Sequence, residues 1–552
     1  MPAPTMRQRI VRLLLPWLCG LLLAAAGPAG AQSESPDGDW VYRIAPADTL
    51  IGLSGTYLQA PYGWRDLQKL NRIADPLRLV PGSALRIPLK WLRREVGVAE
   101  VVHVQGETQV VRGSEPSRAV QTGESLRAGD VLRTGAGASL TLRFADGSRL
   151  LATPDSEFRI ERLLVLGRSG LADTRLQLDR GSVDTVVTPQ KGRRGGYEIR
   201  TPTVNLGVRG TEFRAHADPA SARVEVLTGQ VAATAGREVR VDAGFGSVAA
   251  AGKPPQPPRR LLPAPQLPAD GIRLERIPLR LGWQAAAGAS GYRAQVLADG
   301  QPERLLLDGQ FTDPAARWAD LPDGRYLLRV RAVDADGLEG LNASTTLVVK
   351  ARPEPPFTSQ PGADARVYGD AAAFAWTRPA VAARYRLQVA DDAGFTRLRA
   401  DERALAEPAF QLALPPGRYH WRLASISADG DQGPFGDAQA FTQRAIPPSP
   451  AAEPPQVGDG QLVFRWQAAT AGESFDVQVA RDAEFTQIVR AERTAQASIA
   501  LVDPPSGRYY MRVRTVDPDG FAGPYGGTQQ IEVPTSRWWL LIPPAVWLLL
   551  AL

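Results

Sequence analysis

From residue 101 onward, apolar and polar residues alternate with period two over most of the chain. Leu140-Thr-Leu142-Arg-Phe144, Tyr385-Arg-Leu387-Gln-Val389 and Phe475-Asp-Val477-Gln-Val479 each read as a strand with one buried face. Residues 40–91 break this pattern. Tyr42-Arg-Ile44 predicts a short strand, and Asp48 or Thr49 is placed to cap a helix on which Leu50, Leu53 and Tyr57 recur at helical spacing. Leu67, Leu70 and Asn71 mark a second helix. Leu85 and Ile87 alternate as a closing strand after Pro81-Gly82, so the segment is a small β-α-α-β unit.

The C-terminal half repeats. Trp283, Trp376 and Trp466 share their spacing with the Gly-Arg-Tyr tripeptides at Gly324, Gly417 and Gly507, and with Asp-Gly at Asp336, Asp429 and Asp519. Three markers in lockstep define three copies of one unit. Half-buried strands separated by frequent turns predict an antiparallel sandwich for each. Asp334-Ala-Asp336-Gly337 and Asp517-Pro-Asp519-Gly520 also look like the start of a calcium loop. Ser427 replaces the first Asp in the second copy and no bidentate Glu follows at loop spacing, which favours a hairpin turn.

The chain therefore reads as a mainly β multidomain protein. Its small module covers 40–91, an all-β domain covers 101–250, and immunoglobulin-like β-sandwiches cover 271–350, 358–444 and 456–534. Proline clusters separate them. Residues 253–270 form one Pro-rich linker, and further clusters lie at 353–361 and 447–455. All are expected to act as extended semi-rigid spacers.

Arg7, Arg9 and Arg12, the apolar run Leu13 to Ala26 and Ala29-Gly30-Ala31 predict a signal peptide over 1–31. The lone Cys19 falls inside it, which suits an oxidising compartment. One Cys and three His argue against zinc chemistry and against most His-dependent catalysis, and no cofactor is expected. Three of the 64 basic residues leave with the signal, so 61 remain against 58 acidic ones. The short clusters at Arg93-Arg94, Lys191 to Arg194 and Arg259-Arg260 read as solvated loop charge rather than a nucleic-acid surface. An apolar tail over 537–552, led by Arg537-Trp538-Trp539, is a candidate membrane contact.

Tyr42, Asp48, Thr49, Leu50, Leu67, Asn71, Pro81, Gly82, Leu85, Ile87 and Pro88 fall in register with the LysM family, which the 40–91 module resembles; Ala47 stands where that family usually has Gly. The resemblance implies binding of peptidoglycan or another N-acetylglucosamine-containing glycan between two loops. Asp48, Thr49 and Leu50 would lie on one side, and Leu79, Val80 and Pro81 on the other. Backbone groups and a hydroxyl would bond the acetamido group while apolar side chains cover its methyl. Asn71 is expected to close a helix rather than touch a ligand.

Arg133-Thr134-Gly135, Phe144-Ala-Asp-Gly-Ser148, Thr201-Pro202-Thr203 and Val208-Arg209-Gly210-Thr211-Glu212-Phe213 give residues 101–250 a resemblance to the FecR domain of periplasmic iron-uptake regulators. In those regulators a sigma-factor-binding segment lies on the far side of a membrane helix. Only residues 1–12 precede the apolar run here, so the resemblance implies the fold and contact with an envelope protein, not that segment. The sandwich copies are similar to fibronectin type III domains. Together these features lead to the expectation of a non-enzymatic protein of the periplasm or envelope of a Gram-negative bacterium. The alternatives are a FecR-type signalling regulator and a peptidoglycan-remodelling protein acting with a partner hydrolase.

Overall fold

In the N-terminal module, Trp40 and Tyr42 alternate with Val41 along β1 (Asp39–Arg43), which pairs antiparallel with β2 (Ala84–Pro88), placing Tyr42 opposite Leu85 and Trp40 opposite Ile87. Two helices, α1 (Leu50–Tyr57) and α2 (Trp64–Asn71), cover that face. Thr49 caps α1, its Oγ1 accepting from the Gly52 N–H at 3.0 Å. At α2, Asp66 accepts from the Gly63 N–H at 2.8 Å. Leu50, Leu53, Leu67, Leu85 and Ile87 form the core, together with Leu166 and Leu171 of the following domain. A computed structural model describes residues 38–189, 196–468 and 470–535. The expected signal peptide, the Lys191–Arg194 cluster and the apolar tail lie outside the described residues.

The chain divides into two units, Met1–Lys350 and Ala351–Leu552. In the first, strands from Arg94–Val96 to Arg259–Arg260 form one hydrogen-bonded β-structure that closes on itself as a barrel. Its longest strand, Ala172–Val186, pairs with Glu157–Leu166 as far as Arg180, then with Arg149–Ala152 and Glu212–Ala217. The corner is Gly181, at φ 90°, where a Cβ would stand 2.4 Å from Ser156 Cα. Only glycine fits such a place. The barrel motifs are spent on turns. Thr134 Oγ1 donates to the Thr153 carbonyl at 2.7 Å and accepts from the Ser156 N–H at 2.9 Å. Ser148 Oγ accepts from the Thr188 N–H at 3.0 Å, and Thr201 Oγ1 donates to the Val204 carbonyl at 2.9 Å.

Each sandwich buries its marker Trp edge-on against an aromatic ring. The pairs are Trp283 with Tyr292, Trp376 with Tyr385, and Trp466 with Phe475, at centroid distances of 5.6, 5.4 and 5.4 Å. The Gly-Arg-Tyr tyrosines donate to a proline carbonyl four residues upstream. Tyr326, Tyr419 and Tyr509 reach Pro322, Pro415 and Pro505 at 2.8, 2.9 and 2.8 Å. This is the tyrosine corner of immunoglobulin-like sandwiches.

The proline clusters are not spacers. Arg259–Arg260 pairs with Phe245–Gly246 as a barrel strand, Gln256 N–H donates to the Val248 carbonyl at 2.9 Å, and Leu341 N–H donates to the Leu262 carbonyl at 2.9 Å. The second and third clusters are held by their sandwiches: Ser425 Oγ donates to the Glu354 carbonyl at 2.6 Å, and Thr515 Oγ1 to the Pro448 carbonyl at 2.7 Å. Proline lacks a donor but keeps its carbonyl, and the residues between the prolines supply the missing N–H groups.

The Asp-Gly sites are turns, and those of the first and third copies are bound by arginine. Asp334 Oδ1 accepts from the N–H groups of Asp336 and Leu338 at 2.9 and 3.0 Å, and Asp517 Oδ1 does the same for Asp519 and Phe521 at 2.9 and 3.0 Å. Arg259 pairs with Asp334 and Asp336. Within the second unit, Arg366 and Arg444 pair with Asp519 at 3.0 and 2.8 Å, Tyr368 donates to Asp517, and its ring stacks on Phe521 at 3.8 Å. Repeats two and three are thereby docked through the same turn.

Candidate functional site

The two loops of the N-terminal module meet at the start of α1. Ile44 N–H donates to the Ser83 carbonyl at 3.0 Å, and Gly82 N–H donates back to Ile44 at 2.7 Å. Arg43 adds a bond to the Gly82 carbonyl at 3.0 Å. Asp48 accepts from the Tyr42 hydroxyl at 2.8 Å and from the Ala45 N–H at 2.6 Å, so its carboxylate shapes the first loop. Burial, then the Asp48 carboxylate, pushes the Tyr42 phenol up to about 12. Ala47 sits at φ 71°, the left-handed region where glycine is unstrained. The turn geometry thus survives the alanine.

Of the six positions expected to face a sugar, five lie in the two adjoining loops and Leu50 opens α1, and they do different work. Leu50 is 0% exposed, a core residue that offers a ligand only its backbone. Thr49 is exposed, yet its hydroxyl is engaged by the Gly52 N–H. Leu79 is half-buried against the core. Val80 is 68% exposed and Pro81 is exposed as well. Leu77 and Ile51, at 79% and 60% exposure, are further apolar side chains of the same region. They escaped notice because neither falls on a family motif position. Exposed apolar side chains together with loop backbone can cover a sugar face and bond its acetamido group.

Among the described residues, the barrel packs at the other end of α1, where Leu166 and Leu171 join the module core and Gly167 lies against the Tyr57 backbone. Arg93 N–H donates to the Tyr57 carbonyl at 2.8 Å, and Arg94–Val96 then enters the barrel beside Leu164–Leu166. Eight helical residues separate the two ends, about 12 Å at 1.5 Å per residue. Asn71 does structural work: its side chain accepts from the Arg86 N–H at 2.7 Å and donates to the Arg86 carbonyl at 2.8 Å, tying α2 to β2.

A second cluster, invisible in the sequence, lies where the barrel meets the first sandwich. Arg331, 1% exposed, donates to Asp184 and Glu339 at 2.6 Å each, to Asn342 at 2.7 Å and to Gln295 at 3.1 Å. Arg293 binds Asp308 and Glu339, at 2.5 and 2.8 Å. Arg214 reaches the Gly340 carbonyl at 2.7 Å, and the Glu339 N–H donates to Glu225 at 3.2 Å. Burial works to raise the Glu339 carboxyl, but Arg293, Arg331 and Arg214 hold it well below the usual range. Glu225 faces the opposite balance: burial, aided by Glu339 and opposed by Arg214 and Arg223, pushes it up to about 7. The network is a weld between domains, since its members come from both and its charges are matched there.

Residues 130–232 match the family model described as FecR protein. No curated protein matches the chain. Among solved structures, the chain is similar to the chicken CNTN1 FN1–FN3 domains at 18% identity, covering 50% of this chain and 100% of that one with a TM-score of 0.23. It is similar to the Clostridium thermocellum CbhA fibronectin(III)-like modules at 15% identity, covering 33% and 95% with a TM-score of 0.23. It is also similar to a putative anti-sigma factor from Parabacteroides distasonis ATCC 8503 at 14% identity, covering 24% of this chain and 59% of that one with a TM-score of 0.20. No helix among the described residues is long and apolar enough to cross a membrane.

Proposed function

We propose that the chain is a non-enzymatic, exported cell-envelope protein that holds an N-acetylglucosamine-containing glycan, with peptidoglycan the foremost candidate, in the loop cleft of its N-terminal module. The observation that carries this reading is the juxtaposition of the 45–49 and 79–83 loops, with Val80 and Pro81 exposed and the neighbouring barrel at the far end of α1. The FecR match supports a second role for the barrel, contact with another envelope protein, and a FecR-type signalling regulator is the reading this favours next. The test is co-sedimentation of the mature chain with insoluble peptidoglycan. Deleting the module is a poor control, because Leu166 and Leu171 would be uncovered. Val80→Asp with Pro81→Ala is better, both side chains being exposed. Sedimentation lost in this variant with unfolding unchanged is expected. Equal sedimentation of variant and parent, or none by the parent, overturns the proposal.

A further inference from the structure

In the first two sandwiches the last strand does not end its sheet. Ile272–Leu274 pairs parallel with Leu347 to Val349 of the strand Ala343–Val349, and Ala365–Tyr368 pairs parallel with Phe441 to Arg444 of the strand Gln439–Arg444. Among the described residues the third sandwich has no such outer strand. Its sheet runs Ile488–Thr494, Ser474–Ala480, Gly507–Val516 and Gln529–Val533, and among the described residues nothing pairs with the far side of Gln529–Val533.

The sequence explains the gap. In repeat two the Asp364 N–H donates to the Ala440 carbonyl at 2.7 Å, opening the parallel pairing. The repeat spacing puts Pro454-Pro455 where repeat two has Asp364-Ala365, which removes the donor that opens the pairing. Asp459 and Gly460, at φ 50° and 75°, then form a tight hairpin that pairs Gln456–Gly458 with Gln461 to Val463 in the other sheet. Two positive φ values in a two-residue turn are the type I′ signature, which commits these residues to that hairpin.

We propose that the outer edge of Gln529–Val533 is a docking site for an extended segment of a partner protein, added as a parallel strand with a basic residue between apolar ones. The two edges that are filled in this chain show the form of the occupant: Ile272-Arg273-Leu274 and Ala365-Arg366-Val367 both carry arginine between apolar residues, opposite the uncharged Val348 and Thr442 and paired with Glu275 and Asp519, whereas the equivalent position of the third sandwich is Glu532. The open strand offers the matching charge. Glu532 has a 71% exposed side chain and, among the described residues, pairs with Arg508 at 4.0 Å. Unpaired strand edges accept added strands through main-chain bonds, with side chains setting the choice. Carried over from repeat two, the register directs the Gln530 carbonyl and the Gln530 and Glu532 N–H groups to the open edge.

The probe is a synthetic peptide with the sequence of residues 363–368, which fills the equivalent edge in repeat two. It is added in millimolar excess to the full mature chain while amide exchange is followed over 529–533. Exchange at Gln530 and Glu532 is expected to slow at least tenfold with peptide. The effect should weaken severalfold for Glu532→Arg and vanish for a peptide with Arg366 replaced by Glu. Unchanged exchange overturns the proposal. So does slow exchange without peptide that becomes fast when residues 536–552 are removed, which would assign the edge to the chain's own tail.

Discussion

Replacing Arg331 by Met tests the weld between barrel and first sandwich. The side chain is 2% exposed and holds two carboxylates, Asp184 and Glu339, at 2.6 Å. Methionine keeps most of the volume, so the packing change is small. What changes is that Asp184 loses the arginine that holds its carboxyl below the usual range against burial, while Glu339 keeps Arg293 and Arg214. Removing one partner of a buried pair costs about 3–5 kcal/mol, because the other charge stays buried. Glu339 retains partners, so about 3 kcal/mol is the better figure here. At about 2 °C per kcal/mol for a large unit, the transition of residues 38–350 should fall by about 6 °C. The transition of residues 351–535 serves as the internal reference. Calorimetry of the full mature chain reads both. Adding Asp184→Asn should restore part of the loss, since it removes the stranded charge, giving a coupling of at least about 1 kcal/mol in a double-mutant cycle. A loss below about 1 kcal/mol, or strict additivity, would show that the two domains stay together without the network.

Glu225 adds a pH dependence to the same unit. Its carboxyl is raised to about 7 in the folded state against 4.5 when free, so the folded protein binds the extra proton between these values. Its stabilising contribution is complete below pH 4.5 and is lost as pH rises through 7, amounting to at most about 3 kcal/mol. Denaturant midpoints at pH 5 and 8 should therefore converge in Glu225→Gln, and an unchanged difference would reject the assignment. In the N-terminal module, Ala47→Gly relieves a left-handed alanine at φ 71°. It should raise stability by about 1 kcal/mol, read as slower exchange of the α1 amides, and a loss of protection would mean that the strain is absorbed elsewhere.

The strands were legible because period two is a direct image of a one-sided sheet. The markers Trp283, Trp376 and Trp466 are legible as core, and the tyrosine corners follow from the repeated Gly-Arg-Tyr. The alternation also identifies the polar face of repeat one, carrying Arg293, Gln295 and Arg331. It cannot tell water from a second domain, and that face is buried: Arg293 is 5%, Gln295 1% and Arg331 1% exposed. Burial there depends on Asp184, Arg214 and Glu225, which are more than 60 residues away along the chain. The two adjoining loops of the N-terminal module show the same limit at smaller scale. Motif register located both loops, but only the structure separates exposed Val80 from buried Leu50.

The three sandwiches differ for the same reason. At the position of Arg331, repeat two has Ala424 and repeat three has Arg514, whose partner is Asp476 at 3.0 Å on its own sheet. At the position of Arg329, Arg422 and Arg512 bind Gln388 and Gln478 at 2.7 Å and lie over Phe395 and Phe485 at 4.0 and 4.1 Å. These local partners satisfy the polar face within each copy. Repeat one instead sends Arg331 to the barrel carboxylate Asp184 and offers Glu339 to the barrel's Arg214, which commits it to one neighbour. The repeats share one scaffold; substitutions on a single face made the first copy part of the barrel unit, and two prolines in front of the third leave its last strand without an outer partner among the described residues.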